Sequence, residues 1–537
     1  TARMTVFSRL AVLGALAAPL SQAASALCAA DSSQVVQNTT EYWPYQVYET
    51  SDINAPYMNI TTTGEPLADG LIFFGQNVRP GTHTVKQQRP FIMTDTNDLV
   101  WSGPMKQGIT TTDFKVATMN GSSVLVYWSS IGKQPIEGVG YGQVNILDDT
   151  YQQIATVCPQ LNLTLTPGAT SKCDADLHEH YITPSNTMLV TAYNVTQADL
   201  TPLGGKSDDW VLDALAVEVD IATGEILFTW SSLEHIPVND TQMPYPAKGT
   251  TRDSPLDLYH MNSIQSVDEN YLINCRHTIS TYMVNKDGDI LWTIQGHTGG
   301  DFGALPEGGT FSWQHHTRFV QESDTTALFS LFGNDNNNIG LNVTAKGVTL
   351  RLTLPPDSSN PPELITNLWD TNDEVYSWAE GSLSQLDNGN YFMGYGIRPV
   401  MKEYGPHPTT KGDVRWSAHF ADLNSGHSYR AFKQVWHATP ASEPALVVSK
   451  SDVPESLSNC TDSSSSSAIG YVSWNGATDV TSYVVYGGSS SDSLEEIGTI
   501  SKHGFETVFA LPGNVSAVQV GAVEGSKVVR RSQVVTI

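Results

Sequence analysis

The chain has 537 residues, 40% hydrophobic and only 15% charged, with 43 Gly and 28 Pro. That composition excludes a disordered chain, and the scarcity of amphipathic helical stretches points to an all-β protein. Lys and Arg number 28 against 55 Asp and Glu, a net charge of −27, which repels phosphate backbones and argues against a nucleic-acid partner.

Residues 1–26 read as a secretory signal peptide, with Arg9, an apolar run from Leu10 to Leu20 and the small-residue site Ala24-Ser25-Ala26. No later run approaches the ~20 apolar residues of a membrane span. The mature protein is therefore expected to be secreted and extracellular, with the oligomeric state left open. Nine N-x-Ser/Thr sequons, among them Asn120, Asn162 and Asn342, agree with a glycoprotein. Of five cysteines, Cys158 and Cys173 bracket a short loop and are the easiest disulfide. Cys28 and Cys460 could tie the N-terminus to the chain near residue 460, and Cys275, in an apolar strand, is expected to be a buried free thiol.

A turn followed by alternating apolar residues and Trp recurs at Asp98–Trp101, Thr223–Trp230, Asp287–Trp292 and Lys411–Trp416. This is a β-hairpin signal. The Trp-to-Trp gaps of 129, 62 and 124 residues fit two, one and two units of about 62. Degraded copies at Asp149–Ile154 and Lys346–Leu352 complete six units, each long enough for four strands. A radial repeat of four-stranded units predicts a six-bladed β-propeller over residues 27–440. Residues 441–537 hold seven short strand candidates around Trp474, Tyr483 and Tyr486, which predicts a small fibronectin-III-like β-sandwich.

Three histidines share one phase of the repeat. His178 precedes Leu189 by 11 residues, His260 precedes Leu272 by 12 and His315 precedes Leu328 by 13, which places each at about the same position of a blade's innermost, channel-lining strand. Arg276 follows Leu272 by four residues and, flanked by apolar strand, requires an anionic partner. Such a cluster supports metal ligation by imidazoles, or nucleophilic catalysis in which the other histidines and the Arg manage protons and oxyanion charge. Trp313 and Tyr259 could offer aromatic faces to a substrate ring.

The order of local motifs resembles the arylsulfate sulfotransferase family, in particular its secreted fungal branch. The resemblance is carried by His260-Met261-Asn262-Ser263, Asn274-Cys275-Arg276-His277 and Trp313-Gln314-His315, and runs from about Pro66 to Leu446. It implies a propeller that moves a sulfuryl group from an aryl sulfate donor to a phenolic acceptor without phosphoadenosine phosphosulfate or another cofactor. It also implies that His315 is transiently sulfated, with His260, Arg276 and His178 as its catalytic partners and Asn262 as a substrate contact. His180 competes with His178 for its role. Gly333 stands where the family usually has Asp, and His316 follows the expected nucleophile. Two alternatives come from other classes: a His-ligated metal enzyme, such as an oxygenase or lyase, and a non-catalytic binding scaffold.

Overall fold

The computed structural model describes residues 27–37, 40–79, 84–104, 109–131, 138–336, 343–406, 412–450, 454–457 and 466–537. The expected leader, residues 1–26, lies outside them, as does Cys460. Cys28 is disulfide-bonded, Cys158 and Cys173 form a disulfide, and Cys275 is a buried free thiol. Among the described residues no helix is long and apolar enough to cross a membrane.

Period-2 alternation broken by Gly, Asn and Asp turns folds the chain into β-sheets, and among the described residues the helical segments are short turns such as Ser232–His235. Five consecutive sheets are each built on a four-stranded antiparallel meander, the second of them adding Leu256–Asp257 in parallel. Sheet II holds Thr111–Met119, Ser122–Ser130, Gly142–Leu147 and Gln153–Val157, and sheet III holds His180–Ile182, Thr187–Ala198, Asp209–Asp220 and Ile226–Ser231. Sheet IV holds Met261–Val267, Asn270–Cys275, Ser280–Val284 and Ile290–Gln295. Sheet V holds His315–Ser323, Thr326–Gly333, Lys346–Thr353 and Glu363–Leu368. Sheet VI holds Ser382–Gln385, Tyr391–Gly394, Val400–Tyr404 and Val414–His419, with Asn59–Thr62 added outside.

Sheet I is made from both ends of this region: Leu71–Val78, Arg89–Met93 and Leu99–Ser102 form a meander whose first strand pairs with Ala431–Gln434. The first strands of sheets II to VI and Ala431–Gln434 contact one another in order and close on themselves, so six inner strands form a ring. Between the sheets lie apolar layers in which Phe73, Phe74, Leu189, Ile273 and Phe329 are wholly buried. Each such side chain contributes roughly 1.5–3 kcal/mol through removal from water.

The repeated Trp residues occupy fourth strands, and two of them clip neighbouring sheets. The Trp230 indole N–H of sheet III donates to the Gly288 carbonyl of the sheet IV hairpin at 3.0 Å. The Trp416 indole of sheet VI donates to the Asp95 carbonyl of sheet I at 2.8 Å. Gly288 has φ 92°, a left-handed turn position that glycine adopts without steric cost. Lys346–Thr353 is a correction: it is the third strand of sheet V, and the position held elsewhere by the Trp strands is filled by Glu363–Leu368.

After residue 440 two further sheets face each other around Trp474, Tyr483, Val485, Phe509 and Val518. One contains Ala445–Ser449, Ser466–Ser473 and Glu506–Pro512, and the other is built on Val480–Gly488 and Ala517–Glu524. Residues 27–440 do not stay apart from these sheets, as the sequence boundaries had them. Ala29–Asp31 pairs with Thr507–Phe509 and becomes an edge strand of the C-terminal unit. The buried Glu506 carboxylate then accepts from Ser32 Oγ at 2.7 Å and from the Thr50 backbone N–H at 2.6 Å, fastening the following segment.

Candidate active site

The inner strands carry the site, and local irregularities aim its side chains. Register breaks occur at Thr112/Lys115 in sheet II, Met261/Ser263 in sheet IV and His315/Arg318 in sheet V. A β-bulge of this kind bends a strand and re-aims its side chains. Asp113, His260, Trp313 and His316 lie at or beside these breaks with positive φ. His180–Ile182 pairs with Met188–Val190 without a break, so the spacings that define the histidine phase differ slightly from sheet to sheet.

The structure brings His178, His260, Arg276 and His315 together. The His178 and His260 ring centroids are 4.7 Å apart, and the His260 ring stacks on His277 at 4.7 Å. Arg276 Nη1 donates to His277 Nε2 at 2.8 Å, its Nη2 donates to the Trp378 carbonyl at 2.9 Å, and its guanidinium lies 5.2 Å from the centre of the Trp313 ring. Tyr429 bridges the group, with its ring 5.5 Å from His178 and 6.4 Å from His315. Its buried hydroxyl has no hydrogen-bond partner among the described residues.

Each histidine is held in one tautomer. His260 Nδ1 lies 2.6 Å from Asp257 Oδ2, and His178 Nδ1 is hydrogen-bonded to Asp176 Oδ1. Both carboxylates are acceptors, so both rings carry hydrogen on Nδ1 and expose the Nε2 lone pair. Asn334 Nδ2 donates to the Ser377 and Glu380 carbonyls, each at 3.1 Å, which turns Asn334 Oδ1 toward His315 Nδ1 at 2.6 Å. His315 Nε2 is then an acceptor, and it takes the Glu380 backbone N–H at 3.1 Å.

Burial sets the charge state. Desolvation pushes the His260, His277 and His315 imidazoles below the usual histidine range, with the Arg276 charge adding to it at all three. Desolvation also lowers the Arg276 guanidinium, to about 10, and leaves it cationic at neutral pH. Burial alone would raise the Asp257 carboxyl, but the imidazoles of His260 and His277 hold it well below the carboxylate range. The site is one fixed cation beside neutral imidazoles, an arrangement that stabilises developing oxyanion charge and offers lone pairs for attack or proton transfer.

Asp257, His260 and His277 also bring three possible metal-ligand atoms within 4.8 Å of one another. His260 Nδ1 is already engaged by the Asp257 carboxylate, His277 Nδ1 by the Asp257 carbonyl at 2.7 Å, and a guanidinium sits on His277 Nε2. These engagements and the adjacent fixed charge disfavour a cation there.

Other expected site residues are placed differently. Tyr259 is a correction: it is wholly buried in the apolar core between sheets III and IV, and its hydroxyl donates to the Ile236 carbonyl at 2.8 Å, so it presents no face to a substrate. Asn262 is a second correction. It is wholly buried, donating to the Gln314 carbonyl at 2.9 Å and accepting from Asn274 Nδ2 at 2.7 Å, so it positions the turn before His315 and does not reach a ligand. Trp313 does stand at the site, half-buried beside Arg276 and His277. Between the two competing histidines the geometry is clear: His178 joins the cluster, whereas His180 lies 3.6 Å from Asp113 Oδ2 in a separate ionic network, its pKa lowered to about 4 by burial.

Sequence reasoning missed Asp176, Asp257, His277, Asn334 and Tyr429. An acid two or three residues before His178 and His260 was a readable signal. Tyr429 arrives on the segment that closes the ring and had no local signal.

Residues 115–421 match the family described as Arylsulfotransferase (ASST). No curated protein matches the chain. Among solved structures, a protein of unknown function from Bacteroides caccae aligns at 13% identity over 68% of this chain and 98% of its own, with a TM-score of 0.36. The Dos1 propeller aligns at 8% identity over 75% and 85%, with a TM-score of 0.30. The GH43 BlXynB protein from Bacillus licheniformis aligns at 10% identity over 79% and 88%, with a TM-score of 0.30.

Proposed function

From the premise that the chain belongs to the arylsulfotransferase family, we propose that it transfers a sulfuryl group from an aryl sulfate to a phenol, with His315 as the covalent carrier. In this reading the six sheets are the blades of a propeller and the C-terminal sheets a fibronectin-III-like sandwich, and the protein is secreted. The observation that carries the proposal is the convergence of Arg276 and His178 with the neutral imidazoles of His260 and His315 at one end of the ring.

The proposed chemistry runs in two half-reactions. His315 Nε2 leaves the Glu380 N–H and attacks sulfur; the N–S bond forms as the S–O bond to the aryl group breaks, and the phenolate departs with that electron pair. Arg276 neutralises the sulfonate oxygens, and the Glu380 N–H is free to do the same. Asn334 Oδ1 accepts from Nδ1–H of the sulfated ring and stabilises its positive charge. In the second half-reaction His260 Nε2 takes the proton of the incoming phenol, with Asp257 stabilising the imidazolium. The phenolate attacks sulfur, the N–S electron pair returns to His315, and His260 gives its proton to solvent.

The test is incubation with a chromogenic aryl sulfate and phenol at neutral pH, with and without chelator. Phenyl sulfate formation unaffected by chelator is expected. Activity that disappears with chelator and returns with a divalent cation would instead favour a metal enzyme, against the engagements that occupy the Asp257–His260–His277 trio. No transfer from any aryl sulfate would leave a binding scaffold.

A further inference from the structure

The opposite end of the ring holds a large cavity with its own chemistry, and nothing in the transfer mechanism uses it. Its volume is about 850 Å³, and its lining includes Lys115, Arg318, His316, Tyr181, Tyr391 and Phe432. That is within the usual size of small-molecule sites, roughly 300–1,000 Å³. In a chain of net charge −27, no Asp or Glu lines the cavity among the described residues, while two cations do.

A buried ionic network separates this cavity from the histidine cluster. Glu179 accepts from Arg318 Nη2 at 2.8 Å, Arg430 Nη1 at 3.0 Å and Lys115 Nζ at 3.3 Å. Asp113 pairs with Lys115 and with Arg430 Nη1 at 3.0 Å. Three permanent cations thus face two carboxylates, and Asp113, Glu179 and Arg430 are wholly buried at their side chains. The uncompensated positive charge falls on the two members that also line the cavity, Lys115 and Arg318, whose side chains keep 11% and 17% exposure. A low-dielectric site with one excess cation is stabilised by an anion.

We propose that this cavity is a second small-molecule site that takes an aromatic monoanion, its ring among Tyr181, Tyr391 and Phe432 and its sulfonate, sulfate or carboxylate against Arg318 and Lys115. Phe432 is already flanked by the His316 ring at 5.6 Å and by Lys115 Nζ at 5.9 Å, so ring and charge recognition are adjacent. The site is distinct from the histidine cluster and does not depend on sulfuryl transfer taking place.

The probe is 2-naphthalenesulfonate, whose sulfur is bonded to carbon and has no aryl ester to transfer. Its binding is measured calorimetrically against the full chain, with 2-naphthalenemethanol as the neutral control. Arg318→Gln leaves Glu179 paired with Arg430 and Lys115 and balances the network, so the fold has no new unpaired acid. Ser384→Trp fills the cavity from the inner strand of sheet VI and removes no charged member of the network. Arg276→Gln disables anion binding at the histidine cluster. The expected result is a binding event that survives Arg276→Gln, weakens about ten-fold or more in Arg318→Gln and is lost in Ser384→Trp. Anion binding abolished by Arg276→Gln and unchanged in the other two variants would overturn the proposal. So would equally tight binding of the neutral alcohol, or no binding to the wild-type chain. Because the readout is binding, failure of the transfer reading leaves this result intact, and the reverse also holds.

Discussion

A histidine whose Nδ1–H is fixed by a carboxylate has one lone pair to offer, and the direction of that lone pair is set by the acid. His260 and His178 are held in this way by Asp257 and Asp176. Asp257→Asn allows the His260 ring to turn and removes the charge that stabilises its imidazolium. Loss of about two to four orders of magnitude in kcat for phenol sulfation, with melting behaviour little changed, is the expected outcome by steady-state kinetics. Arg276→Lys keeps the charge but loses the planar fork that reaches both His277 and Trp378, and a fall of about 10²-fold or more in kcat/KM is expected. At this scale the sequence exposed the histidines because a repeat places equivalent side chains at equivalent depth. It misjudged Tyr259 and Asn262 because the bulge at Met261/Ser263 interrupts the alternation on which a facing assignment depends. It could not yield Tyr429, which reaches His178 from a segment 251 residues later in the chain.

The strands were legible wherever a turn and a Trp marked them, and the structure supplies a reason for the Trp. An indole N–H that reaches the next sheet's turn couples two sheets that share no ladder. Trp230→Phe removes the bond to Gly288 and leaves the packing mostly in place, so a loss of about 1–2 kcal/mol in chemical denaturation is expected. Gly476 sets a second junction. With φ 103°, it lets the Tyr151 ring lie where a Cβ would come within 2.2 Å, and the Tyr151 hydroxyl donates to the Gly476 carbonyl at 2.9 Å. Gly476→Ala combines a backbone penalty with that clash, so proteolysis near residues 440–476 should rise sharply while the ring stays folded. Sheet V misled the sequence reading because its fourth strand, Glu363–Leu368, lacks the Trp, and the apolar third strand resembled the missing copy.

Across the whole molecule, closure is non-local. Six repeat units were countable in the sequence, but the pairing of Ala431–Gln434 with Leu71–Phe74 joins residues some 360 positions apart. The pairing of Ala29–Asp31 with Thr507–Phe509 spans still more. A three-residue edge strand has no local signature, so its pairing was not readable, and the one pointer to the crossing was the tie expected between Cys28 and Cys460. Stability should respond to pH through buried neutral histidines. His180 is lowered to about 4, and His277, His315 and His316 are also lowered, all chiefly by burial, from an ordinary value of 6.5. A depressed folded pKa means that the unfolded chain takes up protons first. The stabilisation is therefore complete above about pH 6.5 and is lost as pH falls toward 4, by about 3 kcal/mol for His180 alone. Thermal midpoints that stay level above pH 6.5 and drop between 6.5 and 4 are expected, and a level midpoint across that window would contradict the buried neutral state. The ring exists, in this account, to gather Arg276 and the histidines around one attacking nitrogen. Mass spectrometry of peptides prepared at neutral or alkaline pH, after aryl sulfate alone is added, tests that most directly. The expected result is one added sulfuryl group on the peptide containing His315, absent from His315→Ala and discharged by phenol. Continued sulfation of phenol by His315→Ala at near wild-type rate, with no modified peptide, would contradict it.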